Sequence, residues 1–300
     1  MNPNIKDAIL AAFVADALSL GVHWVYNTSE IDAKYGRLEN MVKPELAPYH
    51  TSKDKGEFTH YGDQMMVLLE SLVHGSGFDF DLNRFSQAWR NLFSAYDGYM
   101  DQASKETLAN FKAGSQPETS GAISMDLGGA ARIVPLILCY GDDIDAFVKA
   151  ARAQTAMTHN SAQAIECAEL FARVSAMVLN GAKPIKAFER ALEKMPEAQK
   201  IQALVQTGLE SRSQDTRKAI ARMGQMCAIE GALPATIHLI AKYENNLKEA
   251  LIENIMAGGD SSARGILTGF VLGCYKGIDT LPKQWLADMT AHEKILGLIH

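Results

Sequence analysis

Cysteine is scarce and scattered: the 300-residue chain has four, Cys139, Cys167, Cys227 and Cys274, with no C-x-x-C spacing. That excludes a disulfide framework and a cysteine zinc knuckle, and their apolar surroundings predict buried free thiols in a reducing compartment. Blocks of lysine or arginine are missing, and a net charge of -6 with a pI near 5.8 speaks against a nucleic-acid partner. No apolar run suits a membrane span: the stretch over 8–20 is interrupted by Asp16, and the one over 266–275 is too short. The first six residues lack the basic and apolar regions of a secretion signal, so a cytoplasmic, membrane-free protein is expected. Apolar/polar alternation of strand length is missing as well, which predicts few strands or none.

What is present is helical periodicity in an ordinary globular composition, 47% hydrophobic and 21% charged. Phe85, Trp89 and Phe93 recur every fourth residue behind Asp81, a natural N-cap. Asn160 precedes a helical run over 161–179 that Gly181 stops, and Pro184, Pro196 and Pro234 each read as helix openers. The least helical stretches are 26–62, centred on Tyr49-His50-Thr51-Ser52-Lys53-Asp54-Lys55-Gly56, and 114–126. The first is too long for a structureless connector, which marks it as a functional loop or a set of short helices. The pattern predicts one all-α domain over residues 1–300, of roughly a dozen helices.

Polar groups interrupt this apolar background at a few places. Ala257-Gly258-Gly259-Asp260-Ser261-Ser262 writes a helix stop and a helix start back to back. It sets a carboxylate and two hydroxyls beside free backbone N–H groups, where a metal or phosphate could sit, although a capped turn explains it equally. Asp16 lies in an all-apolar segment and, if buried, needs an ion pair, a hydrogen-bond donor or a metal. His23, among aromatic neighbours, could line a pocket for a ring, or simply be a core histidine. Asp63 in Tyr61-Gly62-Asp63-Gln64 stands at the start of an apolar helix, where capping alone would account for it. Asp126-Leu127-Gly128-Gly129 would let a ligand approach a helix N-terminus, and Thr158-His159-Asn160 ends one helix and caps the next.

In order and context these blocks resemble the ADP-ribosylglycohydrolase family, whose members are all-α and hold two Mg²⁺ ions in a buried cleft. The family's Gly-Asp-Ala-Leu-Gly resembles Ala15-Asp16-Ala17-Leu18-Ser19, and its Thr-Asp-Asp-Thr is set on Tyr61-Gly62-Asp63-Gln64. Its stretch ending Met-Arg-Val-Ala-Pro resembles Gly128 to Pro135, its Thr-His pair is Thr158-His159, and its Gly-Gly-Asp-Thr-Asp-Thr falls on Gly258 to Ala263. The resemblance runs from about Asp7 to Trp285. It implies an all-α ADP-ribosylglycohydrolase-like fold and a hydrolase cleaving an ADP-ribosyl or related N- or O-glycosidic bond, on a small-molecule or ADP-ribosylated protein substrate.

By the same resemblance, Asp63 and Asp260 are the catalytic carboxylates, and Asp63, Asp260 and Ser262 the metal ligands. Asp16, His23, Asp126, Gly128, Gly129, Thr158, His159, Gly259 and Ser261 are the substrate contacts. The pattern is nevertheless altered at its ligands. Gly62 and Ser262 stand where the family has aspartates, Ala263 where it has threonine, and His23 where many members carry glutamate. Two ions repel each other and need several anionic ligands, so one weakly held Mg²⁺ or none is expected. Arg264 offers a positive charge near that position, or an ordinary pairing arginine. A binding protein for ADP-ribose or a nucleotide that no longer turns it over is the alternative, and a structural protein on an enzyme fold a third reading.

Overall fold

The computed structural model describes residues 3–75 and 77–300, and helices make up 64% of the protein. Seventeen α-helical segments are present among the described residues, more than the dozen expected. The additions are short pieces such as Gly128–Ala131, Ile137–Tyr140 and Lys283–Asp288, whose length leaves no periodicity to read. Among the described residues, strand is confined to the two-residue antiparallel pair Val73–His74 and Gly77–Phe78, as the missing alternation implied.

Local sequence sets most of the helix starts. Asp81, Asp101, Asp143, Ser161, Asp215, Asn246 and Asp260 each accept a hydrogen bond from the backbone N–H three residues on, which satisfies an otherwise orphaned donor. Two starts differ from expectation. Ser161, not Asn160, caps Ala162–Leu179, its hydroxyl accepting from Ala164 N at 3.3 Å. The helix expected to open at Pro234 begins five residues earlier, as Ile229–Lys242 with the proline inside. The carbonyl that Pro234 cannot serve belongs to Glu230, an exposed residue, so water can take its place.

The pair of helices at the centre is Pro3–Leu20 against Ser261–Lys276. Glycines at 265, 269 and 273 form a groove along one face of the second helix. A β-carbon at Gly269 would lie 2.6 Å from Ala11 O, one at Gly273 2.8 Å from Ala8 Cα, and one at Gly265 3.2 Å from Ser19 Oγ. The order of these contacts makes the pair antiparallel, with backbones closer than any larger side chain permits. Ser19 Oγ then reaches Ser261 O at 3.0 Å, and Asn254 Nδ2 reaches the same oxygen at 2.7 Å. Around this pair the main apolar core runs from Ile5 to Ile299, with a small second cluster of Ile220, Ala235, Leu239 and Ala257, in a single domain.

The same close approach positions the chemistry. It brings Asp16, near the end of the first helix, to Ser262, in the first turn of the second. Gly258 and Gly259, with φ of +68° and +67°, end Leu247–Met256 in the left-handed conformation that glycine adopts freely. Asp260 follows as N-cap, so the stop-and-start reading of this segment holds. No helix among the described residues is long and apolar enough to cross a membrane.

Candidate functional site

Asp16 is fully buried and satisfied by three donors: Thr59 N at 2.9 Å, Thr59 Oγ1 at 2.7 Å, and Ser262 Oγ. Burial pushes its carboxyl up to about 6 even so, against the pull of Ser262 and Thr59. Thr59 is the N-cap of His60–Leu72 and its hydroxyl also lies 3.0 Å from Ser262 Oγ. A β-carbon at Gly62 would come within 2.1 Å of Asp16 Oδ2, so only glycine fits beneath that carboxylate.

Tyr61, one residue before this glycine, lies over Gly128, where a β-carbon would sit 2.0 Å from Tyr61 Cε1. Its hydroxyl stands 3.1–3.2 Å from both oxygens of Asp126 and 3.1 Å from Asp260 Oδ2. A phenol carries one proton, so these two carboxylates compete for it. Burial, then the charges of Asp260 and Asp101, push Asp126 up to about 7. Asp260 is also raised by burial, with Arg264 opposing. Asp126 is further anchored by Gly128 N at 2.7 Å, so the N-terminus expected to meet a ligand is capped by the chain's own carboxylate.

Beside this carboxylate pair lies a group of rings. His23, His50 and His60 are each 1% exposed, with ring centroids 5.3–6.1 Å apart. Trp24 packs against all three, at 4.3, 5.6 and 5.3 Å, and against Tyr49 and Tyr99. Trp24 has a φ of +64°, the one positive value for a non-glycine among the described residues. It is held there by Gly259 O, which accepts from Trp24 N at 2.8 Å, while Gly259 N donates to Val25 O at 2.8 Å. His23 Nδ1 is 3.9 Å from Asp260 Oδ1, and His60 Nε2 is 3.4 Å from Asp101 Oδ2. Burial lowers both His23 and His50, the latter to about 3, so both are neutral. Burial raises Asp101, but its contacts with His60 outweigh that and hold it below the usual range.

Behind Tyr61, the buried Arg132 donates to Gln64 Oε1 and to Thr158 Oγ1, and Thr158 Oγ1 meets His159 Nδ1 at 2.9 Å. His159 lies against Gly129, where a β-carbon would be 2.5 Å from its Cγ. Gly128 and Gly129 are therefore small to admit the rings of Tyr61 and His159. Ser261 Oγ is buried without a partner. Arg264 is buried as well, but its guanidinium serves Gly258 O at 2.6 Å and Asn254 Oδ1 at 3.2 Å. It braces the Gly258–Gly259 turn.

The fold thus brings Asp16, His23, Asp126, Asp260 and Ser262 into one region. Asp63 stands at the edge of it: that carboxylate binds Lys53 Nζ at 2.7 Å and Tyr96 Oη at 2.6 Å, while its charge still acts on Asp16 and His60. Set two residues earlier, the Thr-Asp-Asp-Thr pattern falls on Thr59-His60-Tyr61-Gly62, and these are the residues that meet Asp16, Ser262 and Asp260. The two Mg²⁺ ions of the family pattern do not fit this donor set, where one weakly held ion or none was the expectation: histidine and tyrosine stand at the pattern's two aspartates, and Asp16 is consumed by three protein donors. Sequence reading passed over His50, His60 and Asp101 as site residues, and took Cys227, whose sulfur lies within 4.8 Å of the Asp126 and Asp260 carboxylates, only as a buried thiol. His50 alone carried a signal, as the centre of the longest irregular stretch.

The ADP-ribosylglycohydrolase family model matches residues 2–300. Crystallin J1A of Tripedalia cystophora is 26% identical, over 97% of this chain and 93% of its own length. ADP-ribosylhydrolase ARH3 of Homo sapiens is 22% identical, over 86% and 82% respectively. Among solved structures, an ADP-ribosylglycohydrolase-related protein complex superposes with a TM-score of 0.71 at 21% identity, covering 99% of this chain and 96% of that one. Family model, motif order and helical architecture agree: the chain belongs to the ADP-ribosylglycohydrolase family.

Proposed function

We infer that this protein hydrolyses a glycosidic bond of the ADP-ribosyl type, with the Asp126–Tyr61–Asp260 bridge in place of a two-magnesium centre. The observation that carries this reading is one phenolic proton between two carboxylates, Asp260 fully buried and Asp126 half-buried and pushed up to about 7. A carboxyl that titrates near neutrality is suited to give a proton to a leaving group and take one from water. Asp126, partly exposed, is the acid; Asp260, which accepts from Tyr61 Oη and feels the opposing charge of Arg264, supports positive charge on the sugar carbon. Tyr26, Tyr49, Ile123 and Met226, large apolar residues exposed by 42–79%, lie on the loops around this pair. Such a rim suits a flat base such as adenine.

A second reading rests on the burial of His23, His60, Tyr61 and Asp260 and on the likeness to crystallins: a protein that binds ADP-ribose, or only retains the fold, without turnover. Release of ADP-ribose from arginine- and serine-linked ADP-ribosylated peptides separates the two. Hydrolysis predicts turnover that Asp126→Asn and Asp260→Asn each reduce about 100-fold. Thermal stabilisation by ADP-ribose without turnover of either peptide would favour the binder.

A further inference from the structure

The geometry points to a binding site for one transition-metal ion of the zinc type, built by His23, His50 and His60. The three come from separate parts of the fold. His23 lies in the turn after the first helix, His50 in the irregular stretch after Thr28–Tyr35, and His60 in the first turn of the next helix. One ring nitrogen from each falls within 4.8 Å of the other two. Apart from His60 Nε2, which stands 3.4 Å from Asp101 Oδ2, none of the ring nitrogens has a hydrogen-bond partner, and all are shielded from solvent.

Leaving buried polar groups unsatisfied is costly, so three adjacent imidazoles with at most one nitrogen engaged are unfavourable as mere packing. A metal would engage three of these nitrogens together. Tetrahedral bonds of about 2.0–2.1 Å place ligand nitrogens about 3.4 Å apart, so the rings must close by roughly 1–1.5 Å. His50, on a segment free of helix hydrogen bonds, is the one placed to move. Asp101 beside His60 and Asp260 beside His23 are carboxylates of the kind that orient metal-bound imidazoles, and they balance the charge of a dication. Trp24, Tyr49 and Tyr99 exclude water around the rings.

Imidazole nitrogen selects zinc, cobalt, nickel or copper and disfavours magnesium, which demands oxygen. Three ligands also leave a fourth position for water. The assignment stands independently of whether the chain hydrolyses anything.

Metal-stripped full-length protein titrated with Zn²⁺, and with Co²⁺ as a spectroscopic probe, tests it. The expected result is one equivalent of Zn²⁺ bound, a raised melting temperature, and the visible absorption of tetrahedral cobalt with nitrogen ligands. Millimolar Mg²⁺ should not compete. His50→Gln should abolish the one-equivalent binding, Asp101→Asn should weaken it about 10–100-fold, and the peripheral His292→Gln should leave it unchanged. Octahedral cobalt, displacement by Mg²⁺, or equal binding by His50→Gln would each overturn the assignment. Should His50→Gln fail to fold, the wild-type cobalt spectrum decides alone.

Discussion

At the residue scale, the site is shaped by which side chains are absent as much as by those present. Gly62 is there because the Asp16 carboxylate fills the space a side chain would take, with Oδ2 only 2.1 Å from where a β-carbon would stand. Gly62→Asp would force two carboxylates together in a buried space. It should destabilise the fold by at least about 2 kcal/mol, measured by urea unfolding, whether or not Mg²⁺ is added. If this position were a vacated metal ligand, Mg²⁺ would restore the stability. The aspartate that the sequence offered, Asp63, stands at the edge of the site, and drew the pattern for a simple reason. Where a pattern's carboxylates have become His60 and Tyr61, the nearest surviving aspartate attracts the register, and only the backbone shows that it turns to Lys53 and Tyr96. The Asp16–Ser262 contact joins residues 246 apart in sequence. No local spacing reveals that.

At the scale of elements, helix starts were legible because a cap is a local contact between one side chain and an N–H three residues on. Asp81 and Asp260 show it. Boundaries failed where the partner was remote: the Ile229 N–H bonds to Met125 O, which starts that helix upstream of Pro234. The Gly265/Gly269/Gly273 groove predicts that Gly269→Ala, 2.6 Å from Ala11 O, costs about 1–3 kcal/mol although alanine is the better helix former. Equal or greater stability would show that the two helices have room to part. His238 ties Ile229–Lys242 to its neighbours through Ser211 at 2.7 Å and Thr216 at 3.2 Å. Burial, with Lys242 nearby, lowers it to about 4. Its unfolded form therefore binds the proton more readily, so its contribution is full above pH ~6.5 and is lost as pH falls towards 4. Relative to wild type, His238→Gln should flatten the loss of stability across that window by about 1–2 kcal/mol. An unchanged slope would mean that other groups carry the acid sensitivity.

For the whole molecule, the family was legible because the order of its blocks survives even where individual ligands do not. Ala15-Asp16-Ala17-Leu18 and Gly258-Gly259-Asp260 sit on the two helices that pack most closely, and their sequence serves that packing as well as the site. The chemistry was less legible, since His50 meets His23 and His60 only through the path of an irregular loop. What results is a family fold in which a tyrosine-bridged carboxylate pair stands beside three imidazoles. The most direct test is the dependence of ADP-ribose release on Mg²⁺, followed in chelator-free buffer with wild type and Asp260→Asn. Turnover that is flat from zero to millimolar Mg²⁺, and lost in Asp260→Asn, is the predicted result. A rate that starts at zero and saturates with Mg²⁺ would contradict it.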